Sequence, residues 1–387
     1  MRLLPIAAVP FVLIACTSAQ PGNSQEAATA STGLPFTVTP VADFDAPWSM
    51  TFLPDGRMLV TEKVGKLILL SADGKTKTEV SGVPAVDSAG QGALKEIVLA
   101  PDYAKSKRVY FSFSEAGQGG KGVVLARGTL DASVKPCVVA PCPQPPRLEN
   151  VQVLFRAAPY VEGSGHYSGR IAFAPDGKHL FFANGERQKF DPAQDPKSTL
   201  GKMLRLTLDG KPAGDPGLTA KGFHPAVWSY GHRNLLGIAF DSAGNLWEQE
   251  MGPKGGDEVN LVLPGRNYGY PIVSDGDHYD GRDIPDHSTR PEFEAPKVSW
   301  NPAISPGGLI AYSGKMFPQW KGDLFIGGLS SQALIRVDVT GISAAKGDQW
   351  SMGARIREVE EGPDGAIWLL EDGGRGSEGR LLKLTRK

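Results

Sequence analysis

A histidine in a stretch rich in glycine and serine is the residue of this sequence best suited to proton transfer. His166 lies in residues 165–170 (GHYSGR), immediately before an apolar segment that begins at Ile171. The unperturbed pKa of histidine lies near neutrality, so a loop histidine on a rigid scaffold can accept a proton from a substrate. A solvated loop histidine without a catalytic role is the alternative, and the rest of the sequence has to decide between the two.

Polar side chains that suit a carboxylate-rich ligand occur at similar places along the chain, before apolar segments. They are Gln91, Arg233, Asn234, Arg355 and Arg357. Guanidinium groups bind carboxylates through two parallel hydrogen bonds. In an extended segment Arg355 and Arg357 lie on the same side and can act as a pair. Each of these arginines taken singly fits an ordinary surface position, but their shared position in the pattern favours a site for a small anionic ligand.

Carboxylates close to glycines indicate a candidate cation site. Asp257 and Glu258 follow residues 252–256 (GPKGG) directly. Oxygen-bearing neighbours and tight glycine turns suit a hard cation such as Ca²⁺ better than zinc. An acidic loop that is hydrogen-bonded to its own backbone is the alternative, and these residues alone leave it open.

An internal repeat supplies the elements that would position these residues. Each copy is an apolar run, a turn that is Pro-Asp-Gly or similar, and a second apolar run, at a spacing of about 50 to 75 residues, the length of a four-stranded blade. Aspartate and glycine suit the turn, because glycine tolerates positive φ and aspartate bonds its own backbone. The six copies occupy residues 48–60, 97–113, 171–182, 236–247, 308–326 and 359–370.

The repeat predicts an all-β fold, a six-bladed β-propeller, in which strand 36–39 pairs with the last blade and closes the ring. A pair of β-sandwiches is the alternative fold, but it does not explain a recurrence at blade length. A propeller gathers the loops between its blades around a central channel on one face. The candidate residues above would therefore converge there although they lie far apart in the sequence.

The N-terminal residues have the pattern of a bacterial lipoprotein signal. One arginine is followed by an apolar run too short to span a bilayer, and residues 13–16 (LIAC) look like a lipobox, in which cleavage leaves Cys16 as the acylated N-terminus. An ordinary secretory signal is the alternative. Because Thr17 is not the aspartate that retains lipoproteins at the inner membrane, we expect a lipid anchor in the outer membrane of a Gram-negative bacterium, facing the periplasm.

These patterns divide the chain into a signal peptide over residues 1–16, a flexible tether over 17–35 and a propeller catalytic domain over 36–387. The net charge is −1 and charged residues make up 21% of the chain, without a basic stripe, which argues against a nucleic-acid partner. The lipid would be the only contact with a membrane. In an oxidising periplasm Cys137 and Cys142 could close a small disulfide in a surface loop.

The loop motifs, in their order along the chain, resemble those of the soluble sugar dehydrogenases that depend on pyrroloquinoline quinone (PQQ). The resemblance is to the periplasmic aldose sugar dehydrogenase branch of the glucose/sorbosone dehydrogenase family, whose fold is also a six-bladed propeller. It covers roughly residues 38–385. The motifs that carry it are residues 90–92 (GQG), 166–170 (HYSGR), 230–234 (YGHRN), 252–260 (GPKGGDEVN) and 267–271 (NYGYP).

The resemblance implies that the chain oxidises the anomeric carbon of an aldose to a lactone. His166 would take the proton of the anomeric hydroxyl while hydride passes to PQQ. Ca²⁺ beside the quinone would be held by the backbone carbonyls of Gly252 and Pro253, and a second, structural Ca²⁺ position matches Glu258 and Tyr268. The residues that the resemblance assigns to cofactor binding are Gln91, Arg233, Asn234, Tyr279, Arg355 and Arg357. The sequence does not indicate the electron acceptor.

The chain also departs from the family pattern. Ser330 stands where the family usually has a lysine that touches the cofactor, Leu235 and Leu236 replace Pro-Gln, and Lys95 stands in a usually apolar run. Ser330 and the leucine pair support the alternative of a non-redox propeller lipoprotein of the same family that binds a glycan or a protein partner. A calcium-dependent lactone hydrolase is a third alternative, which is disfavoured because the channel motifs supply more arginine than carboxylate.

Overall fold

The computed structural model describes residues 33–133 and 145–387. The predicted signal peptide over 1–16, most of the predicted tether over 17–35, and the cysteines Cys137 and Cys142 lie outside the described residues. Described residues from Pro35 to Lys387 belong to one compact unit.

Strands, numbered in chain order, dominate this unit and form six antiparallel sheets of four. Blades one and two consist of β2 (Pro47–Phe52), β3 (Met58–Glu62), β4 (Lys66–Leu70), β5 (Lys77–Val80), β6 (Leu94–Leu99), β7 (Arg108–Gly117), β8 (Gly120–Asp131) and β9 (Arg147–Arg156). Blades three and four consist of β10 (Ser168–Phe173), β11 (His179–Asn184), β12 (Lys202–Thr207), β13 (Val227–Tyr230), β14 (Leu235–Phe240), β15 (Leu246–Glu250), β17 (Asp257–Leu261) and β19 (Val298–Trp300). Blades five and six consist of β20 (Pro306–Ala311), β21 (Leu324–Gly328), β22 (Ala333–Thr340), β23 (Ser343–Ser351), β24 (Ile356–Glu361), β25 (Ile367–Glu371), β26 (Arg380–Arg386) and β1 (Phe36–Asp43).

Helices contribute little to the architecture. They are α1 (Tyr103–Ser106), α2 (Pro216–Thr219) and single 3₁₀ turns at Asp191–Ala193, His287–Thr289 and Pro318–Trp320. Two short strands, β16 (Lys254–Gly255) and β18 (Gly276–Asp277), pair with each other outside the blades. In the parts of the chain that the structure describes, no helix combines the length and the apolar character needed to cross a bilayer.

The first strands of the six blades form a closed ring, which confirms the predicted six-bladed propeller. Strands β2, β6, β10, β14, β20 and β24 each contact the next one in this series, and β24 contacts β2. The six sequence copies are the first two strands of each blade. In blades one and six the turn between these strands depends on Asp-Gly, since Gly56 and Gly365 have φ of 85° and 83°, a region that favours glycine. The Asp55 carboxylate accepts the backbone N–H of Arg57 at 3.1 Å, as expected for an Asx turn.

Both ends of the unit meet in blade six, where β1 pairs with β26 from Phe36 opposite Arg386 to Asp43 opposite Arg380. The predicted closure by strand 36–39 is therefore confirmed, and the strand extends to Asp43. Phe36 is 1% exposed, and its ring packs edge-on against Trp350 at 5.5 Å and Trp320 at 6.4 Å. Because these aromatic rings belong to blade five, the closing strand also ties two blades together.

The apolar core lies between neighbouring blades, whereas polar groups reach the centre of the ring. Arg170 on β10 donates to Glu96 of blade two at 2.9 Å and also binds Glu358 of blade six. The Arg170 guanidinium lies 4.1 Å from the ring centroid of Trp48. These contacts join blades one, two, three and six, so Arg170, which belongs to the histidine motif, has a structural role.

Candidate active site

His166 lies just before β10, at the wall of a cavity of about 240 Å³. The side chain is largely buried, with 6% of the residue exposed. The same cavity is lined by Arg233, Pro253 and Tyr279, and Tyr279 is 74% exposed at its rim. The structure therefore brings four of the predicted site residues from blades three and four to one opening.

The imidazole of His166 is oriented by a carboxylate that the sequence analysis did not identify. The Nδ1 atom of His166 is hydrogen-bonded to Glu186, whose side chain is fully buried. An ionised carboxylate can only accept, so Nδ1 carries the proton and the Nε2 lone pair remains available as a base. Burial lowers the pKa of His166 below its usual 6.5, more than the Glu186 hydrogen bond raises it. The imidazole is therefore neutral at pH 7.

Glu186 remains ionised in this setting. Its burial acts to raise its pKa. The hydrogen bond to His166, the positive charge that His166 carries at low pH and the backbone N–H of Phe190 at 2.7 Å together bring the pKa of Glu186 below 4.5. The backbone N–H of Lys189 also donates to Glu186. The carboxylate is thus held by the backbone and is not free to rotate away from the histidine.

The backbone around His166 is held in an uncommon conformation by buried partners. His166 has φ of 45°, in the left-handed region. Its N–H donates to the side-chain oxygen of Gln91 at 2.7 Å, which joins blade two to the histidine loop. Arg187 donates to the carbonyls of Gly165 and Gly163 at 2.8 Å each and lies 3.6 Å from the ring centroid of Tyr167. Several independent contacts therefore fix the position of the imidazole.

Arg233 and Asn234 lie before β14, with their backbone fixed by Glu250. One carboxylate oxygen of Glu250 accepts both N–H groups, that of Asn234 at 3.1 Å. The Arg233 guanidinium donates to the carbonyl of Met251 at 2.9 Å and faces the ring of Tyr279 at 6.0 Å. The buried Nε of Arg233 and Oδ1 of Asn234 have no partner among the described residues. These orphaned polar atoms are the kind that a polar ligand satisfies.

The remaining predicted cofactor residues line a second cavity of about 320 Å³, which contains Gln91, Asn234, Arg355 and Arg357. As strand alternation predicts, Arg355 and Arg357 lie on one side, and both bind Asp372, Arg355 at 3.0 Å and Arg357 at 2.6 Å. The other charged or exposed polar residues of its wall are Lys63, Lys95, Ser330 and Arg375. Among the residues that the structure describes, five cationic side chains and one carboxylate thus line this cavity.

The backbone at Gly252 and Pro253 has the features of a cation ligand. The N–H of Gly252 donates to Asp257 at 2.9 Å, and the other oxygen of Asp257 accepts the N–H of Ser305 at 2.7 Å. The carbonyl oxygens of Gly252 and Pro253 accept no hydrogen bond from any described residue. Burial raises the pKa of Asp257 to about 6. These carbonyls are oxygen donors without a partner, which suits a hard cation.

Glu258 forms a group of buried carboxylates with Glu248 and Glu250, and Tyr268 lies beside this group. Oxygens of Glu248 and Glu250 lie 3.7 and 3.5 Å from Nδ1 of His232, and no described lysine or arginine pairs with the three carboxylates. Burial and the neighbouring carboxylates raise the pKa of Glu248 well above its usual value. The Tyr268 hydroxyl is engaged by backbone groups of Leu261 and Leu263. The carboxylate group is compatible with a cation, and the Tyr268 hydroxyl is not free to bind one.

Comparisons with known proteins show the family to which the chain belongs. The family model for glucose/sorbosone dehydrogenase matches residues 44–383. The aldose sugar dehydrogenase YliI of Escherichia coli is 37% identical over 350 residues, which cover 88% of this chain and 90% of the relative. A crystal structure of glucose dehydrogenase has a TM-score of 0.82 at 39% identity and covers 91% of this chain and all of its own.

A further solved structure is that of the PQQ-bound aldose sugar dehydrogenase of Streptomyces coelicolor. It has a TM-score of 0.71 at 30% identity and covers 91% of this chain and 98% of its own. The family match spans most of the described propeller, and the relatives match it over nearly their full lengths. The chain therefore belongs to the glucose/sorbosone dehydrogenase family.

Proposed function

We propose that this chain is a PQQ- and Ca²⁺-dependent aldose dehydrogenase that oxidises the anomeric carbon of an aldose to a lactone, with His166 as general base. The observation that carries the proposal is the contact between His166 and Glu186, because it leaves a neutral imidazole with a free Nε2 at the wall of a cavity. The PQQ-bound relative supports the choice of cofactor.

The residues present fit an anionic cofactor. The cavity with Arg355 and Arg357 has a large excess of positive charge, and Gln91 and Asn234 add neutral polar groups. Bidentate contacts from the two guanidinium groups suit a ligand that carries several carboxylates. In this proposal Arg233 and Tyr279 hold the cofactor on the side of His166.

The residues present also fit Ca²⁺ at Gly252 and Pro253, because no described residue donates to their carbonyl oxygens and Asp257 accepts the N–H of Gly252. Glu258 would hold the second, structural Ca²⁺, and Tyr268 lies beside this position with its hydroxyl bonded to the backbone. When bound, PQQ supplies an acceptor for hydride and Ca²⁺ supplies a Lewis acid. Binding of either group is a proposal that rests on these donors.

His166 and its neighbours perform the proton transfer. Nε2 of His166 accepts the proton of the anomeric hydroxyl as the C1–H bond breaks with both electrons and C1 becomes the lactone carbonyl carbon. Glu186 stabilises the imidazolium that forms, since its carboxylate remains on Nδ1. The largely buried position of His166 limits the access of water to the transferred proton.

Reconstitution tests this function directly. The purified protein, loaded with PQQ and Ca²⁺, should reduce an artificial dye when aldoses are added, and His166→Ala should abolish this activity without changing the circular dichroism spectrum. An absence of dye reduction across a broad panel of sugars and alcohols, together with an absence of PQQ binding, would contradict the proposal. Binding of a glycan or a partner protein without PQQ binding would favour the non-redox lipoprotein instead.

We also propose, from the N-terminal sequence pattern, that a lipid on Cys16 anchors the protein to the outer membrane, facing the periplasm. Expression of the full chain in a Gram-negative host should yield a membrane-associated protein whose mass includes acyl chains. The Cys16→Ser variant should lack that mass and appear in the soluble periplasmic fraction. An identical mass and distribution for both proteins would contradict the anchor.

A further inference from the structure

Lys95 is a buried lysine that has no partner of opposite charge in the part of the chain that the structure describes. It lies on β6, the first strand of blade two, and is 2% exposed. Its ammonium group donates one hydrogen bond, to the carbonyl of Gln91 at 3.0 Å, and faces the rings of Trp48 and Tyr167 at 4.9 and 5.4 Å. Among the described residues no carboxylate lies within 4.0 Å of it.

A second buried lysine, Lys202, has a structural role, and its hydrogen bonds can be compared with those of Lys95. Lys202 is fully buried, and its ammonium donates to the carbonyls of Pro192, Ala193 and Leu200 at 2.6, 2.8 and 3.0 Å. An ammonium group has three donors, so Lys202 is saturated by the protein. The ammonium group of Lys95 uses only one of its three donors, and the other two have no acceptor among the described residues.

The charges with the largest effect on Lys95 are positive. Arg357, Lys63, Arg170 and Arg187 all act against its protonation, and burial has an even larger effect, so that the pKa of Lys95 lies well below its usual value. Lys95 also lines the cavity that contains Arg355, Arg357 and Ser330. A buried cation among cations is costly unless an anion occupies the adjacent space.

We propose that Lys95 is a ligand-binding residue that contacts a carboxylate of the anionic molecule held by Arg355 and Arg357. The inference rests on the proposed function where that molecule is taken to be PQQ, but the geometry requires only an anion with several carboxylates. Lys95 approaches from blade two and the arginines from blade six, so Lys95 adds a cation to the same cavity from a separate blade. Ser330 of blade five lines the same cavity without a charge.

The test compares the wild type with Lys95→Met, which keeps the length and the apolar stem but removes the charge. Because an uncompensated buried cation is removed, the ligand-free variant should unfold at the same temperature as the wild type or a higher one. Its Kd for PQQ, from titration of quinone absorbance, should rise at least about tenfold, the loss expected for one charge-assisted contact. The exposed Lys178→Met is the matched control and should match the wild type in both measurements.

Unchanged PQQ affinity in Lys95→Met would overturn the inference. So would a clear loss of stability in the ligand-free variant, because that result marks a structural lysine like Lys202. Citrate, a small tricarboxylate, separates this inference from the proposed function. If the wild type does not bind PQQ, the proposed function fails, but citrate should still raise the unfolding temperature of the wild type more than that of Lys95→Met. An equal citrate effect on both proteins would contradict the inference as well.

Discussion

Glu186 binds Nδ1 of His166, and this contact joins the residue two positions before β10 to the residue two positions after β11. Ser168 lies opposite Asn184 in the hairpin that these strands form, so an extension of the register places 166 opposite 186. The same rule operates in blade six, where Ile356 lies opposite Glu371 and Arg355 binds Asp372 one step further. Hairpin register therefore builds both the hydrogen bond between His166 and Glu186 and the ion pair between Arg355 and Asp372.

Replacement of Glu186 by glutamine should reduce kcat for dye-linked sugar oxidation by about 10²-fold or more, because an amide fixes the histidine tautomer poorly and does not stabilise the imidazolium. PQQ affinity should change by less than about threefold, since Glu186 is not expected to touch the cofactor. Glu162→Gln, an exposed change in the same region, is the control and should behave as the wild type. Full activity in Glu186→Gln would show that the histidine does not depend on this carboxylate.

The pH dependence of kcat/KM should report the ionisation of His166. The base acts in its neutral form, and burial lowers its pKa below 6.5. Activity should therefore be retained above pH 6.5 and should fall as the pH decreases through that lower pKa. In Glu186→Gln the acidic limb should move to a still lower pH, because the carboxylate that favours the imidazolium is gone. An acidic limb centred above pH 7 would contradict this assignment.

Loss of one channel arginine should weaken cofactor binding without unfolding the protein. Arg357→Ala removes a guanidinium from the cavity, and one charge-assisted contact of about 1.5–3 kcal/mol corresponds to a rise in Kd of roughly 10- to 100-fold. PQQ titration measures the change, and circular dichroism confirms the fold. Arg266→Ala, an exposed change outside the cavity, should leave the Kd as it is in the wild type. Equal Kd values for both variants would exclude Arg357 from the cofactor site.

Closure of the ring by β1 should make a large contribution to stability. Phe36→Ala removes a buried ring that packs against Trp320 and Trp350, and such truncations cost about 3–5 kcal/mol. Denaturant unfolding should show this loss, whereas Ile342→Ala, at a 60% exposed position, should change the free energy of unfolding by less than about 0.5 kcal/mol. A change below about 1 kcal/mol in Phe36→Ala would mean that β1 does not hold the ring closed.

The fold could be predicted from the sequence because each blade repeats one local pattern. The turns at Asp55-Gly56 and Asp364-Gly365 depend on residues adjacent in sequence, and the apolar runs on either side give two strands at each copy. The closing strand was also predictable, since a ring needs its last blade completed. The third and fourth strands of the blades vary in length and spacing, and the pattern did not specify them.

The candidate site was predictable only in part. Motifs indicated His166 and the arginines, because each motif consists of residues that are adjacent in the sequence. Glu186 and Asp372 were missed, since their roles depend on the strand register that brings them opposite a partner. Lys95 stood out in the sequence only as a departure from an apolar pattern. The burial of Lys95 beside Arg357 could not be predicted from the sequence, because it depends on how blades two and six are arranged in the ring.

The most direct test of this account is a single-turnover experiment with wild type and His166→Ala, both loaded with PQQ and Ca²⁺ and mixed with glucose in the absence of any other electron acceptor. Both proteins should bind PQQ with similar affinity. Reduction of the bound quinone, followed by its absorbance, should be complete in the wild type and at least about 10³-fold slower in His166→Ala. Quinone reduction at the same rate in both proteins would contradict the central claim that His166 is the base.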